Sequence, residues 1–280
     1  MHANTVATFA GFGLGLRPPH YQEFLTTSVA VDFVEVISEN FMIDGGRPLH
    51  VLEQIRAKHP VALHGVSMSL GSADGLDREH LGRLQQLVER IEPLFVSDHL
   101  SWTRIDGFNS HDLLPIPYTE EALDLVCSNV AQAQDAIGRA LLVENPSTYL
   151  QFAQSAMTEW EFLTELCKRT GCNLLLDINN IYVSATNHGF DPHAYLAGVP
   201  VERVRQLHLA GHSQGSELLI DTHNQPVPDP VWALYAAMLP RLGAVATMIE
   251  RDDAIPPLSE LLLELDTARA IAGNAARKAA

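Results

Sequence analysis

Eight short apolar runs alternate with segments of helical periodicity along the 280-residue chain, and this repeat restricts the fold more than any other feature. The strand-like runs are Phe9–Leu16, Phe33–Ile37, Val61–Gly65, Leu94–Ser97, Leu141–Glu144, Asn173–Asp177, Val204–Leu209 and Ala246–Glu250. Helix spacing of apolar residues occurs in Arg47–Lys58, Asp77–Ile91, Thr119–Gly138, Thr158–Arg169, Pro230–Leu239 and Leu258–Ala272. Two further connections, Pro18–Thr27 and Asp191–Ala197, give short and weak helix signals. Eight strand–helix units predict an α/β protein with a (β/α)8 TIM barrel.

The alternative fold is a doubly wound open sheet, which usually has fewer strands and a phosphate-binding loop after the first. The glycines of Gly11–Gly15 have the wrong spacing for such a loop and lie inside a strand-like run, so small residues in a first barrel strand explain them better. A TIM barrel takes about 250 residues. We therefore expect one domain over residues 1–280, with its core at about 9–272 and an Ala-rich tail at about 273–280.

The charge balance narrows the set of partners. Lys and Arg total 18 against 34 Asp and Glu, a net charge of −16, which disfavours binding to nucleic acid or to an anionic membrane surface. Three Cys cannot form a disulfide framework, no apolar run approaches 18 residues, and the first residues lack a cationic signal region. We expect a cytoplasmic protein, and homodimerisation stays open.

Chemically capable side chains stand at the carboxyl ends of six consecutive predicted strands, the place where TIM barrels carry their active sites. They are His64, His99, Glu144, Asp177, His208 and Glu250, and the loop after the seventh strand adds Asp221 and His223. Burying unpaired charges costs several kcal/mol, and like charges repel, but divalent ions remove both penalties. Eight nitrogen and oxygen ligands suit a cluster of two or three ions of iron, manganese or zinc.

Each of these positions has an ordinary explanation when it is taken alone. A single His at a strand end is more often a hydrogen-bonded rim residue than a ligand, and a single carboxylate there usually caps a helix or pairs with a base. Eight such positions on consecutive strand ends are hard to explain in that way. The pattern G-x-S-x-G at Gly211–Gly215 suggests a nucleophile elbow, but the sequence after it leaves no room for the other members of a catalytic triad.

Several longer motifs resemble the multinuclear non-haem iron-dependent oxidative enzymes, a family that includes the methanobactin-biosynthesis oxidase. The motifs are Ser38-Glu-Asn-Phe41, Leu63-His-Gly-Val-Ser67, Ser97-Asp-His-Leu-Ser-Trp102, Val143-Glu-Asn-Pro-Ser-Thr-Tyr149, Leu176-Asp-Ile-Asn-Asn-Ile-Tyr182, Asn187-His-Gly-Phe-Asp191, His208-Leu-Ala-Gly-His212 and Asp221-Thr-His223. The resemblance extends from about Gly11 to Asp253, nearly the whole chain.

The resemblance implies a TIM barrel that holds two or three irons, in mixed Fe(II) and Fe(III) states, and uses dioxygen to modify Cys of a ribosomally made precursor peptide. Products of the thiooxazole or oxazolone type are expected, as is a small partner protein that presents the peptide. The compact length and the nearly complete set of motifs resemble those of the branch that acts on copper-binding, Cys-rich bufferin-type precursors. The implied iron ligands are His64, His99, Glu144, Asp177, His208, Asp221, His223 and Glu250. Asn145, Asn180 and His212 are candidates for positioning substrate or ligands. Glu39 and Asn40 could face the same opening or could form a cap or loop hydrogen bond.

Two other functions stay open. The chain also resembles, more distantly, barrel endonucleases with three zinc ions, which carry a His three residues after the sixth-strand Asp where this chain has Asn180. A zinc or manganese hydrolase of that kind would cleave a phosphodiester without oxygen, and the acidic composition weighs against it. A protein that binds metal or peptide without turnover is the third hypothesis.

Overall fold

The computed structural model describes residues 9–279, and eight parallel strands within this range close into a barrel. The barrel strands are β1 (Gly11–Gly15), β2 (Phe33–Ile37), β3 (Val61–Gly65), β4 (Val96–His99), β7 (Leu142–Glu144), β8 (Asn173–Asp177), β9 (Val204–Leu209) and β12 (Ala246–Ile249). Each strand pairs with its neighbours in chain order, and β12 pairs with β1 to close the ring. The predicted (β/α)8 TIM barrel is confirmed.

Nine α-helices lie within the described residues. They are α1 (Tyr21–Thr26), α2 (Arg47–Arg56), α3 (Arg78–Ile91), α4 (Glu120–Ile137), α5 (Glu159–Thr170), α6 (Ile178–His188), α7 (Pro192–Gly198), α8 (Asp229–Met238) and α9 (Leu258–Ala279). Side-chain caps start several of them, and Thr158 forms a reciprocal capping box with Glu161 at the start of α5. Among residues 9–279, none of these helices has the length and apolar character needed to cross a bilayer.

The lower interior of the barrel is filled by a separate apolar cluster, which we call the barrel plug. The plug consists of Phe33, Ala62, Phe95, Leu142, Leu175, Ala246 and Met248. These side chains point inward, whereas the larger core cluster packs the outer faces of the strands against the helices. A Cβ at Gly13 would lie 2.6 Å from the ring of Phe33, so the glycine in β1 makes room for the plug.

Three features differ from the expectations of the sequence. The fourth strand is displaced by two residues, to Val96–His99, because Phe95 belongs to the plug and the pairing with β3 and β7 continues to the strand end. Helix α6 follows β8 directly in a segment for which no helix was predicted. Two hairpins project beyond the barrel: β5 (Trp102–Ile105) with β6 (Phe108–Leu114), and β10 (Ser213–Gln214) with β11 (Leu219–Ile220).

Candidate metal centre

Strand alternation places a polar layer directly above the barrel plug. On four strands a candidate ligand stands two residues after a plug residue: His64 after Ala62, Glu144 after Leu142, Asp177 after Leu175 and Glu250 after Met248. Because side chains alternate between the two faces of a strand, residues separated by two point to the same side. These four side chains therefore lie in the upper mouth of the barrel, directly above the apolar plug, which excludes water from below.

The first group of potential ligands consists of His64, His99 and Glu144, all buried. The Nε2 atoms of His64 and His99 each lie 3.3 Å from Glu144 Oε2. The other ring nitrogens are engaged, because His64 Nδ1 lies 2.8 Å from Ser97 Oγ and His99 Nδ1 lies 3.1 Å from the Gly65 carbonyl oxygen. The two rings are thus oriented with Nε2 toward the shared carboxylate, as in histidines that bind metal.

Two further groups continue from the first by sharing carboxylates. Glu144 also joins Asp177 and His208, and Asp177 in turn joins His223 and Glu250. A fourth group, beside this row, consists of Glu35, His208 and Glu250. Within each group the potential ligand atoms lie within 4.8 Å of one another. A carboxylate that belongs to two groups can bridge two ions, so the arrangement suits two or three metal ions in a row.

The contacts in the mouth are those of atoms that surround a common point. His208 Nδ1 and Glu144 Oε2 are buried and have no hydrogen-bond partner among the described residues. Even so, His208 Nδ1 lies 3.0 Å from Glu250 Oε2 and 3.6 Å from Glu144 Oε1. Two ligands bound at 2.0–2.2 Å to one ion are separated by about 2.8–3.6 Å. Asp177 Oδ2 is likewise buried and has no hydrogen-bond partner within residues 9–279, so the residues fit a metal centre.

Electrostatics also favour added positive charge in the mouth. Burial raises the pKa of Asp177 well above its usual range, and Glu144 and Asp221 raise it further against the effect of His223. Burial alone would lower the pKa of His208, but Glu35, Glu250 and Glu144 together hold it well above its usual value. The protein thus gathers protons onto these side chains where divalent ions could replace them.

Asp221 and His223 come from the loop after β11 rather than from a strand end. Asp221 Oδ1 lies 2.7 Å from His223 Nε2, while His223 Nδ1 lies 3.3 Å from Glu250 Oε2. His223 has a φ of +47°, a left-handed conformation that is uncommon for a residue with a side chain and is frequent at functional sites. Asp221 is the one predicted ligand that belongs to none of the groups among the described residues.

The three predicted positioning residues are connected to the ligand residues by hydrogen bonds. Asn145 and Asp177 are tied by two hydrogen bonds, from Asn145 Nδ2 to the Asp177 carbonyl at 3.0 Å and from the Asp177 N–H to Asn145 Oδ1 at 2.9 Å. Asn180 donates to the Asn145 carbonyl at 3.1 Å, and its Oδ1 is buried without a partner among the described residues. His212 Nδ1 lies 2.7 Å from Asn179 Oδ1, and Asn179 Nδ2 donates to Asp221 Oδ1 at 2.7 Å.

Sequence patterns missed two buried acids near the ligands. Glu35 lies in the middle of β2, and its Oε1 is 3.0 Å from His208 Nε2. Asp98 accepts the N–H groups of Met68 and His99, and burial raises its pKa to about 8. A charged residue inside the apolar run Phe33–Ile37 was the available signal for Glu35. Glu39, which was expected to be able to face the mouth, accepts the Val66 N–H at 2.9 Å instead.

The mouth opens into a cavity of about 190 Å³. The lining of this cavity includes candidate ligands, and Ile37, Val66 and Leu113 contribute apolar surface to it. Ser213, the serine of the G-x-S-x-G pattern, lies in the β10–β11 hairpin and bonds to Thr222 and Asn224. The arrangement of Ser213 therefore differs from the strand-to-helix turn of a nucleophile elbow.

Solved structures similar to this chain are barrels of sugar epimerases. An L-ribulose 3-epimerase matches with a TM-score of 0.61 and 14% identity, covering 97% of each chain. A D-tagatose 3-epimerase-like protein also has a TM-score of 0.61, at 13% identity, covering 96% of this chain and 100% of that one. At these identities the likeness describes the fold alone.

Sequence relatives are much closer. A UPF0276 protein of Rhizorhabdus wittichii is 68% identical over 271 residues, which is 96% of this chain and 97% of that protein. A UPF0276 protein of Caulobacter vibrioides is 68% identical over 267 residues, 95% of each. Residues 11–273 match the family model described as RiPP precursor modification enzyme MbnB/TglH/ChrH. The chain therefore belongs to this family of enzymes that modify the precursors of ribosomally synthesised peptides.

Proposed function

We propose that this protein is a dioxygen-dependent iron enzyme that oxidatively modifies Cys residues of a ribosomally made precursor peptide. The observation that carries the proposal is the row of three ligand groups that share Glu144 and Asp177 at the barrel mouth. The same row occurs in a chain whose family modifies such precursors. Oxidation to thiooxazole or oxazolone products is the reaction class that we assign.

The ligands in this proposal divide among the groups. His64, His99 and Glu144 would hold one ion, Glu144, Asp177 and His208 a second, and Asp177, His223 and Glu250 a third. Asp221 would complete the environment of His223, from which its Oδ1 is 2.7 Å away. Imidazole and carboxylate ligands without thiolate suit iron, which when bound supplies one-electron chemistry with dioxygen and a binding position for a thiolate.

The protein's own side chains prepare the site before any peptide arrives. Ser97 and the Gly65 carbonyl fix the rings of His64 and His99. Gln206 Nε2 lies 3.1 Å from His208 Nε2 and donates to Glu35, so Nε2 of His208 is engaged and Nδ1 faces the carboxylates. Such partners set the tautomer and the basicity of a ligating histidine. The apolar plug below and Ile37, Val66 and Leu113 beside the mouth limit the access of water to the reacting group.

The rim of the barrel offers surface for a peptide and for the small partner protein that we assign to the reaction. Phe108, Tyr149, Leu150 and Ile220 are exposed hydrophobic residues of loops and hairpins on this side of the barrel. Tyr149 lines the mouth cavity, and its hydroxyl accepts the Asp221 N–H at 3.0 Å. Among precursors, we assign the Cys-rich, copper-binding bufferin type, because the compact length of the chain is similar to that branch.

The test begins with anaerobic purification from iron-replete cells, followed by metal analysis and Mössbauer spectroscopy. We expect two or three irons per chain. Oxygen consumption and a change in peptide mass should depend on a Cys-containing peptide and be absent with the matched Ser peptide. A centre filled with zinc and free of iron, together with phosphodiester cleavage in the absence of oxygen, would refute the proposal in favour of a hydrolase.

A further inference from the structure

A second cavity, of about 360 Å³, lies beside the metal mouth and has no role in the proposed reaction. We call it the aromatic cavity, after its lining by Tyr118, Phe152, Trp160, Phe190 and Tyr195 around Glu159. Its volume is much larger than a water molecule needs and falls in the lower range of ligand pockets. A largely apolar cavity with one acidic group is the usual form of a binding site.

Glu159 is the unusual residue of this cavity. Its side chain is only 8% exposed, and its Oε1 atom has no hydrogen-bond partner among the described residues. The groups that act on it are the hydroxyls of Tyr118 and Tyr195, neither of which is cationic, and burial raises its pKa to about 8. His188, which also lines the cavity, lies 2.8 Å from Thr148 Oγ1, and burial lowers its pKa. Within residues 9–279, the groups that act on the Glu159 carboxyl thus include no cation.

Three aromatic rings of the lining pack against one another next to this carboxyl. Trp160 lies 6.1 Å from Phe190 and 5.3 Å from Tyr195, measured between ring centroids, and Phe190 lies 6.4 Å from Tyr195. Ring faces attract cations, and clusters of rings form the cages that bind ammonium groups. A buried carboxyl that lacks a base, combined with such rings, has the chemistry of a receptor for an organic cation.

The aromatic cavity and the mouth are separated by a single segment of chain. Ser147 and Tyr149 line the mouth, whereas Thr148 and Leu150 line the aromatic cavity. Successive side chains therefore point to opposite sides, and the wall between the two cavities is one chain thick. At about 3.3 Å per residue, an extended peptide would cross such a wall in about two to four residues.

We propose that the aromatic cavity binds a Lys or Arg side chain located two to four residues from the residue that the enzyme modifies. The ammonium or guanidinium group would pair with Glu159, and its methylene stem would lie against the rings of Trp160 and Tyr195. That the side chain belongs to the precursor peptide rests on the proposed function. The acidic protein, with a net charge of −16, favours the approach of a basic segment.

Peptide binding without turnover tests this proposal. Blocked peptides that carry Ser in place of Cys, with one Lys two to four residues away on either side, are titrated into the metal-loaded protein by calorimetry. Matched peptides carry norleucine, which keeps the stem and removes the charge. We expect the best Lys peptide to bind about tenfold more tightly than its norleucine partner. Equal affinities, or tighter binding of the norleucine peptide, would overturn the proposal without any variant being made.

Two variants locate the preference. Glu159→Gln keeps a hydrogen-bonding group in place but removes the charge, and we expect the Lys preference to disappear. Glu165→Gln, on the same helix but outside the cavity, is the matched control and should keep the preference. A preference that survives in Glu159→Gln would refute the assignment to this cavity. Mass change of a Cys peptide, measured separately, tests the oxidation, so either hypothesis can fail while the other stands.

Discussion

Glu144 and Glu159 are the same residue type, both are buried, and their environments move their acidity in opposite directions. Burial alone would raise the pKa of Glu144, but His99, His64 and His208 lower it to about 2. Burial raises the pKa of Glu159 to about 8, and only the hydroxyls of Tyr118 and Tyr195 oppose this. Burial alone therefore does not set the charge of these two glutamates; the three histidines next to Glu144 make the difference between them.

The same difference separates the tasks of the two regions. The metal centre places histidines opposite Glu144 and Glu250, so these two carboxylates keep their charge in the folded chain and suit ions that stay bound. Among the described residues, no cationic group acts on Glu159 in the aromatic cavity, and in our proposal its carboxyl takes a cation from outside. One site is organised for a resident cofactor, and the other for a group that comes and goes.

The largest effect is expected from removing a charge at the metal centre. Glu144→Gln takes away the carboxylate that two ligand groups share, so it should empty both neighbouring positions. We expect at least one metal ion per chain to be lost and peptide oxidation to fall more than about 100-fold. Metal analysis and oxygen consumption measure the two effects.

Glu159→Gln is the matched control for that experiment, because it makes the same chemical change at another buried position. Metal content should remain at the wild-type value in this variant. Loss of metal from Glu159→Gln, or full metal content in Glu144→Gln, would mean that the two regions do not differ in the way that their neighbours indicate.

Glu35→Gln should have the next largest effect, although Glu35 is not a predicted ligand. Glu35 Oε1 lies 3.0 Å from His208 Nε2, and an amide in place of the carboxylate weakens the electrostatic attraction between these two side chains. We expect about 10–100-fold weaker metal binding, measured by competition with a chelator. Glu39→Gln is the control, since Glu39 accepts the Val66 N–H and an amide oxygen can replace it there. Unchanged affinity in Glu35→Gln would contradict a role in positioning His208.

The sequence predicted the barrel and most of the centre because both depend on strand periodicity. His64, Glu144, Asp177 and Glu250 each stand two residues after a plug residue, and their convergence follows from closing the sheet. Glu35 was missed because it lies in the interior of β2 rather than at its end, and a charge is normally excluded from a strand interior. The position of Asp221 depends on the conformation of a long loop, which no periodic pattern encodes.

The aromatic cavity could not be predicted from the same patterns. Its lining combines the segment before α4, the loop after β7 and residues of α5, α6 and α7. Glu159 is the first residue of α5, where an acid is common because it complements the helix end. Sequence patterns alone do not distinguish Glu159 from such an acid, and only the packing of Tyr118 and Tyr195 around it shows that it is buried.

A pH dependence of stability distinguishes Glu159 from ordinary surface acids. Its pKa of about 8 in the folded chain exceeds the value of about 4.3 in an unfolded chain, so the folded state binds an extra proton between these values. Stability from this group is complete below about pH 4 and is lost as the pH rises through 8. Relative to Glu159→Gln, the wild type should lose about 2 kcal/mol between pH 6 and pH 8, measured by urea unfolding. A constant difference between the two proteins over this range would show that Glu159 is already charged.

The smallest effect is expected from Thr158→Ala. This variant tests whether the N-terminal end of helix α5 influences the charge of the adjacent Glu159 carboxyl. The Thr158 side chain caps α5 by accepting the Glu161 N–H, and the Glu161 side chain accepts the Thr158 N–H at 2.8 Å. Losing this cap should cost about 1 kcal/mol. The cap is formed by Thr158 and Glu161 and does not involve the buried Glu159 carboxyl. The loss in free energy of unfolding should therefore be the same at pH 6 and at pH 8. If the loss in free energy of unfolding instead changes between pH 6 and pH 8 by as much as it does for Glu159→Gln, the end of helix α5 controls the charge of Glu159. The lack of a cationic side chain beside Glu159 would then not be the cause. The contrast with Glu144 would then come from backbone dipoles and not from side-chain neighbours.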